Sequence, residues 1–425
     1  MGFLRSSTLV RNIAVVASGT AAAQVIVVAF SPLITRIYGP EVFGLQGVFL
    51  SLVGILSPVI ALRYPMAIIT ASNEDDARQL ARLSLLISAG IAGILWIGLI
   101  AGGETVARLL GADGLGALIL FLPLALLSIA YQDVMSFRAA RLGAFKLVGR
   151  VEILQAFLTN LARVLGGLWA PIAAALVVVT SLAPTVKAVM LRSGAIELRQ
   201  PSPTLTKEKA LELLKIHRDF PIYRMPTDVL NALSQSVPVL LLAALFSPTA
   251  AGLYALSRSI LHLPSNVIGA AVGNVLYARF AELSRSGQSL LPLLLRSTIA
   301  LMALAPLIIG CAWFAPTVFA YAFGEEWREA GNYARWMSVW LGVALANIPA
   351  VRIAPVVKAQ NLLLTMNTVS LAARVSAMLS IAWLGGDAGT AVAAFSLTSV
   401  AVNVALILVL FRRCARWNGT LPEHH

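Results

Sequence analysis

Long apolar runs separated by short polar stretches set the pattern of this chain. Twelve of them are expected to be spans, near 12–37, 43–70, 79–102, 114–137, 147–169, 170–191, 222–246, 251–280, 291–322, 333–357, 361–384 and 388–411. Each approaches or exceeds the roughly 20 apolar residues that cross a bilayer as a helix. The runs are continuous rather than alternating at every second residue, which excludes a barrel. Backbone groups in lipid must then be satisfied inside helices. The only sizeable polar segment, 192–221, opens with Pro201 and Pro203. Its TKEKALELLKIHRDF stretch reads as a short amphipathic helix, with Leu211, Leu214 and Ile216 on the apolar side and Lys207, Lys209, Lys215 and Arg218 elsewhere. The expected domains are a six-helix lobe at 1–191, a basic cytoplasmic linker at 192–221, a six-helix lobe at 222–413 and a cytoplasmic tail at 414–425.

The two halves share a frame. Pro40 recurs as Pro248 and Gly44 as Gly252, about 208 residues on, the kind of self-similarity that marks an internal repeat. In both copies a Pro follows one apolar run, a Gly-Leu pair opens the next, and a later Pro is expected to break that helix. Six spans per half give both halves the same orientation, which makes a parallel repeat about the membrane normal. The charges do not repeat. Arg63 falls opposite Ala271, and Arg258 opposite Leu50. That mismatch reads as one asymmetric polar site inside a duplicated scaffold.

Composition agrees with the pattern. The 425 residues are 59% hydrophobic and 12% charged, with a mean hydropathy of +0.84; soluble domains run at about 25% charged. The net charge of +13 does not imply nucleic acid, because the positive residues cluster at the ends of the apolar runs. One set of ends holds Arg78, Arg82, Arg138, Arg141, Lys146, Arg150, the linker, Arg279, Arg285, Lys358, Arg412, Arg413 and Arg416; the other holds little beyond Arg36, Arg108, Arg328 and Arg335. The positive-inside rule puts both termini in the cytoplasm. MGFLRS fits a loose myristoylation pattern, but a short basic cytoplasmic end is the favoured explanation. The first run is too long for a cleavable signal sequence. Cys311 and Cys414 suggest neither a disulfide frame nor a metal site.

Ionisable groups inside spans are costly, and each needs a cavity or a partner. Arg63 lies in the inner third of the second span, just before Pro65. Arg258 lies in the outer third of the eighth, on a face shared with His262 and Ser265 in a span that also carries Asn266 and Asn274. Both arginines break the repeat, which favours a functional role. Arg163 and Arg374 follow the repeat, so pairing with Glu152 or a carbonyl explains them as well as a ligand contact does. Arg352 and Lys358 bracket Pro355. Lys187 and Arg36 are near enough to interfaces to snorkel. His262 is a candidate for proton coupling or an ordinary hydrogen-bonded polar residue. Asp133 and Asp228 are candidates for pairing with arginine or for binding a coupling cation. No phosphate loop, His-Glu-x-x-His or Gly-x-Ser-x-Gly motif is present, and no expected external loop exceeds about a dozen residues, so the chain does not read as an enzyme and needs no cofactor or metal. Two parallel lobes, Pro-broken helices and a cationic interior outline a transporter for an anionic substrate.

LITRIYGPEVFGLQGVF (33–49), FRAARLGAFKLVGR (137–150) and AFGEEWREAGNYARW (322–336) resemble stretches of the Wzx-type bacterial polysaccharide flippases, of the multidrug/oligosaccharidyl-lipid/polysaccharide exporter superfamily. The resemblance implies a V-shaped fold with a central cavity. It implies alternating access that carries undecaprenyl-pyrophosphate-linked oligosaccharide from the cytoplasmic to the periplasmic leaflet of the bacterial inner membrane. It puts the pyrophosphate on cavity arginines, here Arg63 and Arg258, and less directly Arg36. A polysaccharide polymerase and a chain-length regulator become expected partners, and a proton or sodium gradient or the membrane potential the driving force. Related lipid II flippases usually carry two more spans. The rival readings are a cation-coupled drug antiporter of the same superfamily, which wants an acidic cavity, a membrane polymerase or ligase, which wants a large external loop, and a structural subunit of a secretion complex, which would bind no lipid-linked sugar.

Overall fold

The computed structural model describes the backbone at residues 2–200, 203–357 and 359–416. Lys358 and the side chains of 2–14, 263–268, 270, 271, 274 and 364 lie outside the described residues, and with them the expectations for Ser265, Asn266, Asn274 and the chain's two ends. Among the described residues every regular element is a helix and there is no strand. They contain eleven helical segments long and apolar enough to span a membrane. The expected span at 251–280 falls on a helix whose side chains are described only in part. The protein is an all-α integral membrane protein.

Packing divides the chain into two units, Met1–Gly252 and Leu253–His425. In the first, α1 (Gly2–Ile37) packs along α6 (Phe145–Trp169), α5 (Leu122–Arg141) along α7 (Ala173–Gly194), and α2 (Pro40–Ile60) against α10 (Met225–Leu245). Between these lie α3 (Ala67–Thr70), α4 (Glu74–Leu109), α8 (Ile196–Arg199) and α9 (Lys207–Ile216). Local chemistry sets the helix starts. Pro40 opens α2 with Glu41 in its first turn, a pre-set φ and a carboxylate at the positive end of the dipole. Asn73 caps α4 by accepting from the Asp76 amide at 2.7 Å. On α4, Ile94, Ile97 and Ile100 sit on one face and are exposed from protein, as a lipid-facing stripe requires.

The repeated frame meets itself inside this unit. A Cβ on Gly44 would lie 1.7 Å from the Pro248 carbonyl oxygen, and one on Gly252 would lie 1.9 Å from that of Pro40. Each copy's glycine admits the other copy's backbone, as small residues do between membrane helices.

The copies then differ. α2 stops at Ile60, two residues after Pro58, and the chain turns through Leu62 and Arg63 into a 3-10 turn, Tyr64–Met66. α11 (Pro248–Arg285), which starts in the first unit, runs on as one helix. The expected helix break is therefore a full corner in the first copy and is absent from the second.

The linker helix docks by a different face from the one expected. Leu213 is fully buried, with Ala210, Leu214 and Phe220 against the same cluster, whereas Leu211 and Ile216 are exposed. Positions 210, 213, 214 and 217 follow helical spacing; Leu211 and Ile216 lie off that stripe.

In the second unit α12 (Leu291–Met302), α13 (Ala305–Trp313) and α14 (Ala315–Phe323) form a segmented arm. α15 (Arg328–Ala346), α16 (Ile348–Ile353), α17 (Gln360–Trp383) and α18 (Ala388–Arg416) complete the unit. Trp313 and Trp383, like Trp169 in the first unit, end their helices exposed. All three lie at ends opposite the Lys/Arg-rich ones, as an interfacial aromatic belt does.

Candidate functional site

The corner after α2 carries Arg63. Leu62 (φ 49°) and Arg63 (φ 60°) occupy the left-handed region, which costs a side-chain-bearing residue about 1–2 kcal/mol. Buried neighbours hold the turn: Ile60, Ala61, Tyr64 and Pro65 are all packed, and the Tyr64 hydroxyl donates to the Leu214 carbonyl at 3.4 Å. The turn aims the guanidinium at α5 and α10. Arg63 Nε lies 2.8 Å from Asp228 Oδ2, and a terminal nitrogen 3.8 Å from Asp133 Oδ2. The Nε–H is not aligned for a hydrogen bond, so this contact is close but coulombic. Arg224, one turn before Asp228, reaches the same oxygen at 3.2 Å.

Lys187 pairs with Glu152 and lies within electrostatic reach of Asp133. Lys187 is thus a paired residue, and Glu152 is its partner rather than that of Arg163. The cluster brings Arg63, Asp133 and Asp228 together. With Arg224, Lys187 and Glu152 it holds three cations and three carboxylates, and it is formally neutral.

The second unit builds a different surrounding for arginine. Arg374, on α17, lies over the rings of Trp340 (5.3 Å) and Phe395 (5.5 Å). Those rings meet edge-on at 5.6 Å, Tyr254 meets Phe395 at 6.2 Å, and His262 meets Trp340 at 5.8 Å. Arg258 sits one turn from both Tyr254 and His262, within electrostatic reach of each. Among the described residues no carboxylate pairs with Arg374, and its Nε and His262 Nε2 have no hydrogen-bond partner. Cation–π contacts of this kind contribute about 2 kcal/mol when desolvated. Arg258, His262 and Arg374 are therefore gathered around aromatic faces.

The other candidates stand apart within their own units. Arg163 is half-buried, its Nε lacks a partner, and its carbonyl accepts from the Tyr38 hydroxyl at 2.9 Å. Arg36 is exposed in the last turn of α1. Arg352 crosses Gly273, where a Cβ would fall 2.6 Å from its Nε. Along α11 that is roughly 22 Å from Arg258, at about 1.5 Å per residue. Among the described residues no cluster of His, Cys, Asp and Glu could hold a metal ion.

Several arginines attributed to topology alone turn out to tie structure together. Arg138 donates to the Glu197 carbonyl at 3.0 Å, Arg82 to that of Pro203 at 3.2 Å, and Arg78 to the Gln200 side chain at 3.1 Å. Arg141 reaches three carbonyls at the end of α3 and the Glu74 carboxylate. Lys209 bridges Asp76 and Glu212 at 3.0 and 3.1 Å. In the 322–336 stretch, Trp327 is fully buried, and Arg335 donates to the Trp313 carbonyl and stacks on its ring at 5.2 Å. Charge spacing makes the Arg224–Asp228 pair legible as an i,i+4 neighbour. The aromatic surroundings of Arg374 come from three other helices and leave no linear signal.

A family model for a polysaccharide biosynthesis protein matches residues 33–332. The succinoglycan biosynthesis transport protein ExoT of Rhizobium meliloti (strain 1021) is 24% identical over 311 residues, which are 70% of this chain and 59% of that protein. The chain thus spans less than two-thirds of that relative's length. Among solved structures, the lipid II flippase MurJ in an inward closed conformation aligns with a TM-score of 0.68 at 11% identity, over 93% of this chain and 87% of the other. An inward-facing multidrug resistance MATE family transporter of the MOP superfamily aligns with a TM-score of 0.63 at 14% identity, over 94% of each chain. At these identities the likeness is one of fold.

Proposed function

The chain belongs to the polysaccharide biosynthesis protein family, and on that premise we propose that it is a flippase. Its substrate is an oligosaccharide linked through pyrophosphate to a polyprenyl lipid such as undecaprenol. It moves that substrate by alternating access from the cytoplasmic to the periplasmic leaflet of a bacterial inner membrane, with both termini in the cytoplasm. A six-helix lobe on either side of the 192–221 linker is the working division. The transport role carried in the name of the R. meliloti relative supports this reading.

The observation that carries it is the pair of arginine environments. Arg63 is held by carboxylates that a pyrophosphate can replace, since phosphate oxygens accept the same charge-assisted, bidentate hydrogen bonds. Arg258 and Arg374 supply positive charge beside aromatic faces. Arg36, Arg163 and Arg352 are secondary contacts at most. Asp133, Asp228 and His262 are the groups through which a proton or sodium gradient would act; one charge crossing the membrane gains about 2.3 kcal/mol per 100 mV. A cation-coupled drug antiporter is the weaker reading, because both carboxylates it would use face Arg63.

The test is translocation of a short-chain polyprenyl-pyrophosphate sugar in vesicles holding only this protein, with and without proton or sodium gradients. Gradient-dependent transport is expected, and Arg63→Ala or Arg258→Ala should abolish it at normal protein levels. No transport with a panel of lipid-linked sugars, together with binding of a cationic drug, would overturn the proposal.

A further inference from the structure

The end of the second unit that carries the terminal arginines holds a cavity of about 670 Å³, within the roughly 300–1,000 Å³ typical of small-molecule sites. One wall is the last turns of α18. Arg412, Arg413 and Arg416 stand three, four and seven residues after Val409, so the four share a face, while Leu410 and Cys414 point away from it and are buried in the core. The other wall is the start of α17, with Asn361 and Leu362. Ala359 stands at the cap position of α17 and offers no side-chain oxygen to its first-turn amides, which leaves them directed at any anion nearby.

The three arginines have no acidic partner among the described residues. The first unit provides the contrast. Its hollow of about 350 Å³ is lined by Arg82 and Arg138, and both donate to linker carbonyls. Those arginines are engaged by the protein itself. Arg412, Arg413 and Arg416 are exposed and surround a space whose floor, Val409 and Leu362, is apolar. Cationic rim, apolar floor and a position at the Lys/Arg-rich ends of the spans together match a phosphate on a diacyl lipid, with the headgroup in the cavity and the acyl chains beside α18.

We propose that this cavity binds the phosphate headgroup of an anionic phospholipid of the surrounding leaflet. The site is separate from the flippase reading and does not depend on it.

The test uses the purified full chain in detergent, titrated with phosphatidylglycerol or phosphatidylcholine and read by native mass spectrometry. Phosphatidylglycerol should be retained about tenfold more strongly. Each arginine near an anionic lipid is worth up to about a fivefold change in affinity, so loss of two in R413Q/R416Q is enough to erase the tenfold preference. Val409→Trp covers the apolar floor with a bulky ring and keeps every charge, and it should weaken phosphatidylglycerol retention as well; it decides the question even if the double variant fails to insert. Glycerol phosphate without acyl chains should not displace the lipid. Equal retention of the two lipids, or full retention by Val409→Trp, would overturn the proposal. Displacement by glycerol phosphate at comparable concentration would replace the lipid site with a site for a free anion.

Discussion

The corner at Arg63 and the aromatic surroundings of Arg374 solve one problem in two ways. Both hold a guanidinium among packed helices, Arg63 in the corner that follows a span and Arg374 inside one, where an unaccompanied charge is costly. At the corner the charge is balanced by Asp133 and Asp228. Around Arg374 it rests on Trp340 and Phe395 with no carboxylate among the described residues. The first arrangement can exchange its anion, because a phosphate can take a carboxylate's place. The second keeps the field of its arginine while the ring quadrupoles lower its cost. The backbone follows the same division. The first copy of the repeated frame breaks into a strained turn to aim its arginine, and the second runs on as an unbroken helix.

The comparison can be broken most strongly at Arg63. Arg63→Ala leaves the carboxylates facing each other without their shared cation. Losing one partner of a buried pair costs about 3–5 kcal/mol, and partial solvent access here reduces that to about 2 kcal/mol. A clear fall in melting temperature in detergent is expected. Arg63→Ala with Asp228→Asn should recover most of that stability while transport stays lost; recovery of neither would contradict the ion-pair assignment. Trp340→Leu should cost about 1–2 kcal/mol from lost cation–π and ring contacts and leave the melting contribution of the Arg63 cluster untouched, which a Trp340→Leu/Asp228→Asn cycle would measure as additivity. Leu62→Gly should stabilise by up to about 1 kcal/mol, because glycine accepts the positive φ; a lower melting temperature would show that the turn is held by the Leu62 side chain instead.

The smallest effect lies in the linker. Burial holds the His217 imidazole below its ordinary pKa, against an opposing pull from Asp76. The folded form therefore favours neutral His217. That contribution is complete above the unfolded value of about 6.5 and is lost as pH falls through the lower folded value. Tryptic cleavage at Lys207, Lys209 and Lys215 should rise modestly as pH falls from 7 to 5 in the wild type, and the rise should shrink in His217→Phe.

Much of the fold was legible because lipid imposes it: run length, Lys/Arg-rich ends and the Pro-Gly frame are all linear signals. The frame predicted duplication, and Gly44 and Gly252 carry it in their reciprocal close approach. The corner at Leu62 and Arg63 was not legible, because a left-handed turn at residues without glycine depends on tertiary packing. Pro58 and Pro65 marked a break without giving its direction. The pairing of Lys187 with Glu152, and the engagement of Arg138 and Arg82 by the linker, needed helices far apart in sequence to be brought together. The aromatic surroundings of Arg374 are of the same kind. The docked face of α9 was readable in principle from 210, 213, 214 and 217, but Leu211 and Ile216 are larger than Ala210 and give a stronger apolar signal off that stripe.

The central claim is that Arg63 exchanges a carboxylate for the substrate's pyrophosphate. The direct measurement is the affinity of the purified chain for a short-chain polyprenyl-pyrophosphate sugar, compared across the wild type, Asp228→Asn and Arg63→Gln. Release of Arg63 should make Asp228→Asn bind several-fold more tightly. Loss of charge-assisted hydrogen bonds worth about 1.5–3 kcal/mol should make Arg63→Gln bind about 10–100-fold more weakly. Wild-type affinity in Arg63→Gln would contradict the claim.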